Sequence, residues 1–398
     1  MKAFRILTVA SILYLISVEI LRVYFIMPFP GSQQRETIGI AYFLNGHMLL
    51  LRLIGGVVLL GSLAFLLRQL SWGWKIFLSA GLAAYATVFY MFNFRFLADK
   101  MFLKPRQLTF SILIDNKVNQ SSLVLGVQLN GEAKAYPIEI IGYHHQVRDS
   151  IGGLPVMITY CTVCRTGRVF DPVVDGALEH FRLVGMDHFN AMFEDATTKS
   201  WWRQATGVAV AGPLTGKVLT EYQSQQMTLQ AWLALYPASK IMQPDSSFTD
   251  KYKKLEGFDR GTIASHLEYR DSLSWKDKSW VLGVKISDRA RAYDWNDLIQ
   301  MSTINDTLKG VPILIHLQPD SSSFHVWKRD SLVFYTEAGS AFIKDKQTKS
   351  EWNTHGECVS GSLKGRQLEP LQAYQEFWHS WRTFNKNTSR YLIKDLSN

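Results

Sequence analysis

Three long apolar stretches open the chain. Positions 6–27 (Ile6–Met27) are nearly all apolar, as are Ile38–Leu67 apart from a few polar positions, and Ile76–Phe94. About 20 helical residues cross the roughly 30 Å hydrocarbon core of a bilayer, so each stretch predicts a transmembrane helix. Pro28, Pro30 and Gly31 break the chain after the first stretch, and Arg68, Gln69 and Ser71 part the second from the third. Trp72, Trp74 and Tyr90 fall near the ends, where amphipathic rings favour the interface. A cleaved signal peptide is the competing account of the first stretch. Its length, its lack of a small-residue cleavage site and the two spans that follow argue against it.

Beyond Lys104 the pattern changes to short strand-like runs. Leu123–Leu129, Asn130-Gly131 and Glu132–Tyr136 read as a hairpin, because Asn-Gly suits a left-handed two-residue turn. Ile138–Val147 reads as a short helix and Pro155–Tyr160 as a buried strand. Arg168–Val174 and Leu178–Val184, joined by Asp175-Gly176, read as a second hairpin. Met227–Leu235 and Tyr374–Phe384 have helical spacing, and the polar stretch Gln243–Trp275 reads as a connection.

The run after Lys104 also repeats itself. Val124-Leu125-Gly126-Val127, Ala133-Lys134-Ala135-Tyr136 and Leu154-Pro155-Val156-Met157-Ile158 return as Val281-Leu282-Gly283-Val284, Ala290-Arg291-Ala292-Tyr293 and Val311-Pro312-Ile313-Leu314-Ile315, each displaced by 157 positions. Thr198-Lys199-Ser200 with Trp202 returns as Thr348-Lys349-Ser350 with Trp352, Gly212 to Leu219 as Gly361 to Leu368, and Trp232 as Trp381. A period this long predicts a duplicated domain and not a solenoid. The expected fold is therefore α+β and β-rich: a membrane region at 1–104 with three transmembrane helices, a first repeat domain at 105–242, and a linker with a second, degenerate repeat domain at 243–398.

Charge alters the picture only slightly. The net charge is +9 and no run of five or six Lys or Arg occurs, which favours anionic lipid over nucleic acid as a partner. Lys2, Arg5, Arg68 and Lys75 would lie on one side of the bilayer, with Arg35, Arg95, Lys100, Lys104 and Arg106 on the other, so charge alone does not orient the helices. An inside N-terminus with three spans puts the soluble region outside the cytoplasm. Glu19, Arg22 and Arg52 lie within the spans; Glu19 and Arg22 are three apart and share a helix face, so they are expected to pair.

Candidate chemistry is confined to one place. Cys161 and Cys164 follow the predicted buried strand, and the only other cysteine is Cys358, which reads as a buried thiol. Two thiols at this spacing can chelate a metal, cycle between dithiol and disulfide, or form a static disulfide. With His144 upstream and His188 downstream, the expected metal ligands are Cys161, Cys164, His144 and His188, a donor set suited to copper or zinc. His145 is expected to be solvated or to stand behind the ligands. Arg165 replaces the histidine that haem attachment requires, and no nucleotide-binding glycine pattern or Ser-His-Asp signature occurs. At the 157 offset Cys161 meets Gln318 and His144 meets Met301, so the second copy lacks the site. Trp201 and Trp202 could line a pocket, although equivalence with Trp352 favours core packing for Trp202. Asp195 and Asp345, likewise equivalent, suggest turn geometry.

One ordered set of motifs resembles a known family. Ala135-Tyr136-Pro137, Tyr143-His144, Asp149, Gly152-Gly153, Pro155 through Tyr160-Cys161, Cys164, Val169-Phe170-Asp171, Ser200-Trp201-Trp202, Gly207, Gly212 and Gly216 resemble the bacterial domain of unknown function 3179 family. The likeness is close over Leu113–Leu219 and looser in the second copy. Thr162-Val163 stands where the family usually has Pro-Leu, and His145 where it usually has Glu. The resemblance implies an exported bacterial protein, here integral to the inner membrane with a periplasmic soluble region, and brings no established activity. Three readings follow: a metal-binding protein, a dithiol redox protein, and a non-enzymatic scaffold or binding module. No catalytic residue is singled out.

Overall fold

The computed structural model describes residues 1–66, 70–337, 340 and 342–393; Leu67, Arg68 and Gln69, read above as the end of the second span and its boundary, lie outside them. The chain is mixed helix and sheet. Contacts divide it into two compact units: residues 1–103, 179–203 and 208–218 in one, and 104–178, 204–207 and 219–398 in the other. This division differs from the sequence boundaries, because the segments around Trp201 and Gly212 join the N-terminal helices.

In the first unit, Lys2–Tyr24, Met48–Leu66 and Trp72–Arg95 are long and apolar enough to cross a membrane. The stretch read as one helix over Ile38–Leu67 is interrupted at His47, giving Ile38–Gly46 and Met48–Leu66. The third helix ends in a π-turn, Met91–Arg95. The intramembrane charges do not pair as expected. Glu19 takes a bidentate contact from Arg52, Nε to Oε1 at 2.7 Å and Nη2 to Oε2 at 2.9 Å, and also accepts from Asn93 Nδ2 at 2.9 Å. Arg22 instead donates to Asn93 Oδ1 at 2.9 Å and to the Phe92 carbonyl at 3.1 Å. Glu19 is fully buried, and a bidentate guanidinium satisfies both its oxygens where water cannot.

The same unit holds an antiparallel sheet in the order Ala209–Ala211, Trp201–Arg203, Asn190–Asp195, Phe181–Asp187. Met186 N donates to the Ile26 carbonyl at 2.7 Å, tying the sheet to the end of the first helix. A Cβ at Gly185 would stand 2.3 Å from that carbonyl, so only glycine permits this approach.

The second unit is β-rich. One sheet runs Phe110–Ser111, Lys240–Met242, Glu132–Pro137, Leu123–Leu129, Gln225–Thr228; another runs Thr388–Arg390, Arg289–Asp294, Trp280–Ile286, Ala373–Phe377. Asn130 and Gly131 both have positive φ, as the predicted turn requires. Each long hairpin leads into a seven-residue helix, Ile138–His144 or Trp295–Met301. Each helix leads into a three-stranded meander, Gln146–Ile151, Leu154–Cys161, Thr166–Phe170 in the first case and Thr303–Leu308, Val311–Leu317, Phe324–Lys328 in the second.

Side-chain bonds match as well. Tyr136 donates to Asp149 Oδ2 at 2.7 Å and Tyr293 to Asp306 Oδ2 at 2.7 Å; Lys134 joins the first pair at 2.8 Å and Arg291 the second at 2.6 Å. Trp232 of the helix Leu229–Leu235 presses on Gly126, and Trp381 of the helix Trp378–Phe384 presses on Gly283.

Several sequence boundaries shift. The expected helix over Ile138–Val147 stops at His144, because His145 turns left-handed (φ 60°) and Gln146 begins a strand. Arg168–Val174 does not pair with Leu178–Val184. Thr166–Phe170 turns back on the cysteine strand, and only Val173–Val174 and Ala177–Leu178 close around Asp175-Gly176. Helices start later than expected, since Gln225–Thr228 and Ala373–Phe377 are edge strands. The segment read as a connection over Gln243–Trp275 is built into the fold: Phe248 and Phe258 are buried, Asp245 accepts from Arg106 N and Gln107 N, and Asp259 accepts from Leu123 N at 2.8 Å.

A Cβ at Gly126 or Gly283 would meet the indole ring at 2.3 Å. Gly126→Ala and Gly283→Ala are each expected to lower stability by about 1–3 kcal/mol through overpacking. Thermal melting of the full chain in detergent checks this; unchanged melting in both variants would refute the packing.

Candidate functional site

The cysteines lie at the tip of a β-hairpin. Leu154–Cys161 pairs with Thr166–Phe170, Cys161 opposite Thr166, and the turn closes with Arg165 N donating to the Thr162 carbonyl at 3.2 Å. Arg165 takes a left-handed conformation (φ 56°) to complete it. Cys161 and Cys164 are both fully buried, no disulfide joins them, and their side chains are hydrogen-bonded to each other. Burial pushes the Cys164 thiol well above its ordinary range; the neighbouring Cys161 adds to this, while Lys278 and Ser380 work against it. Unligated, Cys164 therefore holds its proton at neutral pH and is slow to attack an external electrophile.

Residues far along the chain surround this tip. Lys278 Nζ donates to the Val163 carbonyl at 2.7 Å and to the Leu267 carbonyl at 2.5 Å. His379 Nε2 lies 3.2 Å from the same Val163 oxygen; burial pulls that ring down to about 3, so it is neutral and donates. Phe377 N donates to the Cys164 carbonyl at 3.1 Å. Ser380 is hydrogen-bonded to Cys164 and also donates to Glu376 Oε2 at 3.0 Å.

Two buried arginines flank the thiols. Arg165 donates to Gln375 Oε1 at 2.8 Å, to the Phe258 carbonyl at 3.1 Å and to the Asp259 carbonyl at 3.2 Å, with its guanidinium 3.9 Å from the Trp280 ring centre. Arg168 is paired with the buried Glu376 and lies 3.6 Å from the Tyr374 ring centre. Gln226 Nε2 donates to Gln375 Oε1 at 2.7 Å and completes the network. Sequence reading used Arg165 only to set aside haem attachment and gave no site role to Arg168, Lys278 or Glu376. The available signal was that Arg165 and Arg168 sit beside the cysteines in a run of otherwise strand-like residues.

The expected histidines are engaged elsewhere. His144 ends its helix with Nε2 2.7 Å from the Tyr252 hydroxyl and its ring against Phe248 at 5.0 Å. His188 belongs to the other compact unit, in the turn between Phe181–Asp187 and Asn190–Asp195. Its Nδ1 lies 2.6 Å from Asp187 Oδ1, which raises its pKa above the ordinary value. Among the described residues, no group of three or more His, Cys, Asp or Glu is arranged to hold a metal ion, so Cys161, Cys164, His144 and His188 are not brought together as one set. His145, expected either in solvent or behind the ligands, is buried; desolvation pulls it down to about 4. Cys358 is a buried thiol donating to the Ser360 carbonyl at 3.2 Å. Trp201 and Trp202 are core residues whose indoles donate to Glu194 and Asp195, each at 2.9 Å, and Trp352 donates to Asp345 at 3.2 Å.

These features define a chain with three helices apolar enough to anchor it in a membrane and a β-rich region enclosing a buried dithiol. It belongs to the family described as a protein of unknown function (DUF3179), whose model matches residues 109–388. No curated protein and no solved structure matches it.

Asp259, beside Arg165, yields a pH prediction. Burial raises its carboxyl to about 7, and Glu139 adds to this. A carboxyl raised in the folded state binds more protons there than in the unfolded chain, so its contribution is full below the unfolded value and is lost as pH rises to about 7. Asp259→Asn should therefore gain stability relative to the parent between pH 4 and 7, by at most about 1.4 kcal/mol per pH unit. Denaturant titration across that range checks it; a constant difference would count against the shifted carboxyl.

Proposed function

We propose that this protein is a membrane-anchored, extracytoplasmic protein that binds a soft metal ion, reduced copper, through Cys161 and Cys164. The observation that carries the reading is the contact between two buried thiols at a hairpin tip. Zinc favours four donors in a tetrahedral site, whereas two thiolates suffice for Cu(I). The donor count therefore favours copper over zinc. His144 and His188 are left out of the ligand set because Tyr252 and Asp187 already hold their rings. Binding would displace the thiol protons, including the one that burial holds on Cys164.

Full-length protein purified in detergent under reducing conditions should carry close to one copper per chain, and Cys161→Ser with Cys164→Ser should carry none. Elemental analysis decides it: absence of copper from the parent after exposure to Cu(I) removes the reading. The same contact between sulfurs also suits a disulfide, the basis of a second, redox reading. A mass two hydrogens lighter in protein isolated without reductant, absent from the double variant, would favour that one.

We also propose that the soluble region arose by duplication. The matched bonds of Tyr136 with Asp149 and Tyr293 with Asp306, and the matched contacts of Trp232 with Gly126 and Trp381 with Gly283, support this reading. The second copy keeps these bonds and lacks the thiols. The soluble region is assigned to the outer side of the bacterial inner membrane, because three spans starting inside end outside. A C-terminal reporter enzyme that folds only outside the cytoplasm should be active; an inactive fusion with an active cytoplasmic counterpart would reverse the orientation.

A further inference from the structure

We infer that the seam between the strands Phe324–Lys328 and Gln225–Thr228 is a binding cleft for the carboxamide group of a small neutral ligand. The inference stands apart from the metal reading and uses matched strand registers. Arg168 lies opposite Thr159 in its hairpin, and His325 lies opposite His316, 157 positions beyond Thr159. Gln225 lies opposite Gly126 and Tyr374 opposite Gly283; Met227 lies opposite Val124 and Glu376 opposite Val281. Phe170 bridges to Glu221, and Trp327 pairs with Pro370. Position by position, His325 therefore answers to Arg168, Gln225 to Tyr374, Met227 to Glu376 and Pro370 to Glu221.

The two seams are filled differently. Between Thr166–Phe170 and Ala373–Phe377, the Arg168 guanidinium lies on the Tyr374 ring and pairs with Glu376, while Tyr374 donates to Glu221 Oε1 at 3.0 Å. The corresponding seam has the shorter His325 and Gln225 in those two positions, and it retains a cavity of about 30 Å³. Ser224, Gln225, Phe324, His325, Trp327 and Pro370 are among the residues that line it. Ser224 is 5% exposed, and Ser224 Oγ and Gln225 Oε1 are buried with no hydrogen-bond partner among the described residues. Buried polar atoms are nearly always paired, so two orphans lining one cavity are the atoms a ligand would engage.

The lining sets the chemistry. None of the described residues that line the cavity is Asp, Glu, Lys or Arg. Gln318 Nε2 donates to His325 Nε2 at 2.7 Å, and burial pulls that ring down to about 3, so it is neutral. Asp320, whose charge reaches His325, already accepts from Thr228 and Ser323. A cation would find no carboxylate to receive it, because Met227 and Pro370 stand in the positions of Glu376 and Glu221, and an anion would find no positive charge. The ligand is therefore uncharged. One water needs about 10–15 Å³ of such space, so the cavity admits roughly two or three heavy atoms, the size of one carboxamide group. A carboxamide is also the neutral, planar relative of a guanidinium. Its N–H suits Gln225 Oε1, its oxygen suits the Ser224 hydroxyl, and its flat faces suit Phe324, Trp327 and Pro370.

The test is saturation-transfer NMR on the full chain in detergent, with acetamide as the probe, acetate as the charged control and empty micelles as the blank. The parent should transfer saturation to acetamide above the blank and not to acetate. Gln225→Tyr, which fills the cleft as Tyr374 fills its counterpart, should abolish the transfer. Ser224→Ala, which removes the hydroxyl and little volume, should weaken acetamide binding roughly threefold or more. A circular-dichroism melt controls for folding, and Ser224→Ala decides the matter if Gln225→Tyr does not fold. Absence of transfer to acetamide in the parent, the result for a cleft that holds only water, overturns the inference. So does equal transfer to acetate, or undiminished transfer in a folded variant. The soft-metal reading stands or falls separately, on the copper content.

Discussion

Arg165 and Arg168 carry two guanidinium charges into the interior of the β-rich unit, and the groups that receive them lie about two hundred residues further on, at Gln375 and Glu376. Burying such a charge without partners costs several kcal/mol, so these side chains hold the segment around Arg165 to the segment around Gln375 within the β-rich unit. Arg165 is met by amide and carbonyl oxygens and by the face of Trp280. Arg168 is met by a buried carboxylate and by the face of Tyr374. Because the two arginines lie on the hairpin that bears Cys161 and Cys164, whatever happens at the sulfurs is read by groups from both halves.

The thiols thus occupy an interior position that a surface redox site would avoid. Burial keeps the Cys164 thiol protonated, and Lys278 is bonded to the backbone of the same turn. The neighbouring backbone reinforces this. The carbonyls of Val163 and Cys164 are already bonded to Lys278, His379 and Phe377, so the turn keeps its shape before any ligand arrives. A turn held this way has little conformational freedom left to lose.

Much of this was legible in the sequence because local rules governed it. Asn130-Gly131 dictated its hairpin, and the three apolar stretches declared their helices by length alone. The constant offset of 157 located residues whose bonds now match, such as Tyr136 and Tyr293. What escaped depended on distant partners. Glu19 had Arg22 within easy reach on its own helix, yet Arg52 on another helix offered a bidentate fit. Arg168–Val174 looked like half of a hairpin, but the cysteine strand was the stronger partner for Thr166–Phe170. His144 looked like a ligand from its proximity in sequence, whereas a tyrosine from the supposed connection claimed its ring. Spacing reveals which residues are neighbours along the chain and says little about competition among tertiary partners.

The bond from Met186 N to the Ile26 carbonyl has a practical consequence for anyone wishing to separate head from anchor. Cutting the chain near Lys104 would strip the sheet of Phe181–Asp187 and Asn190–Asp195 of the residues it leans on, and would leave Gly185 facing an empty space shaped for a vanished backbone. The helices that look like a detachable tether are also part of the scaffold for a segment about 160 residues downstream of Ile26.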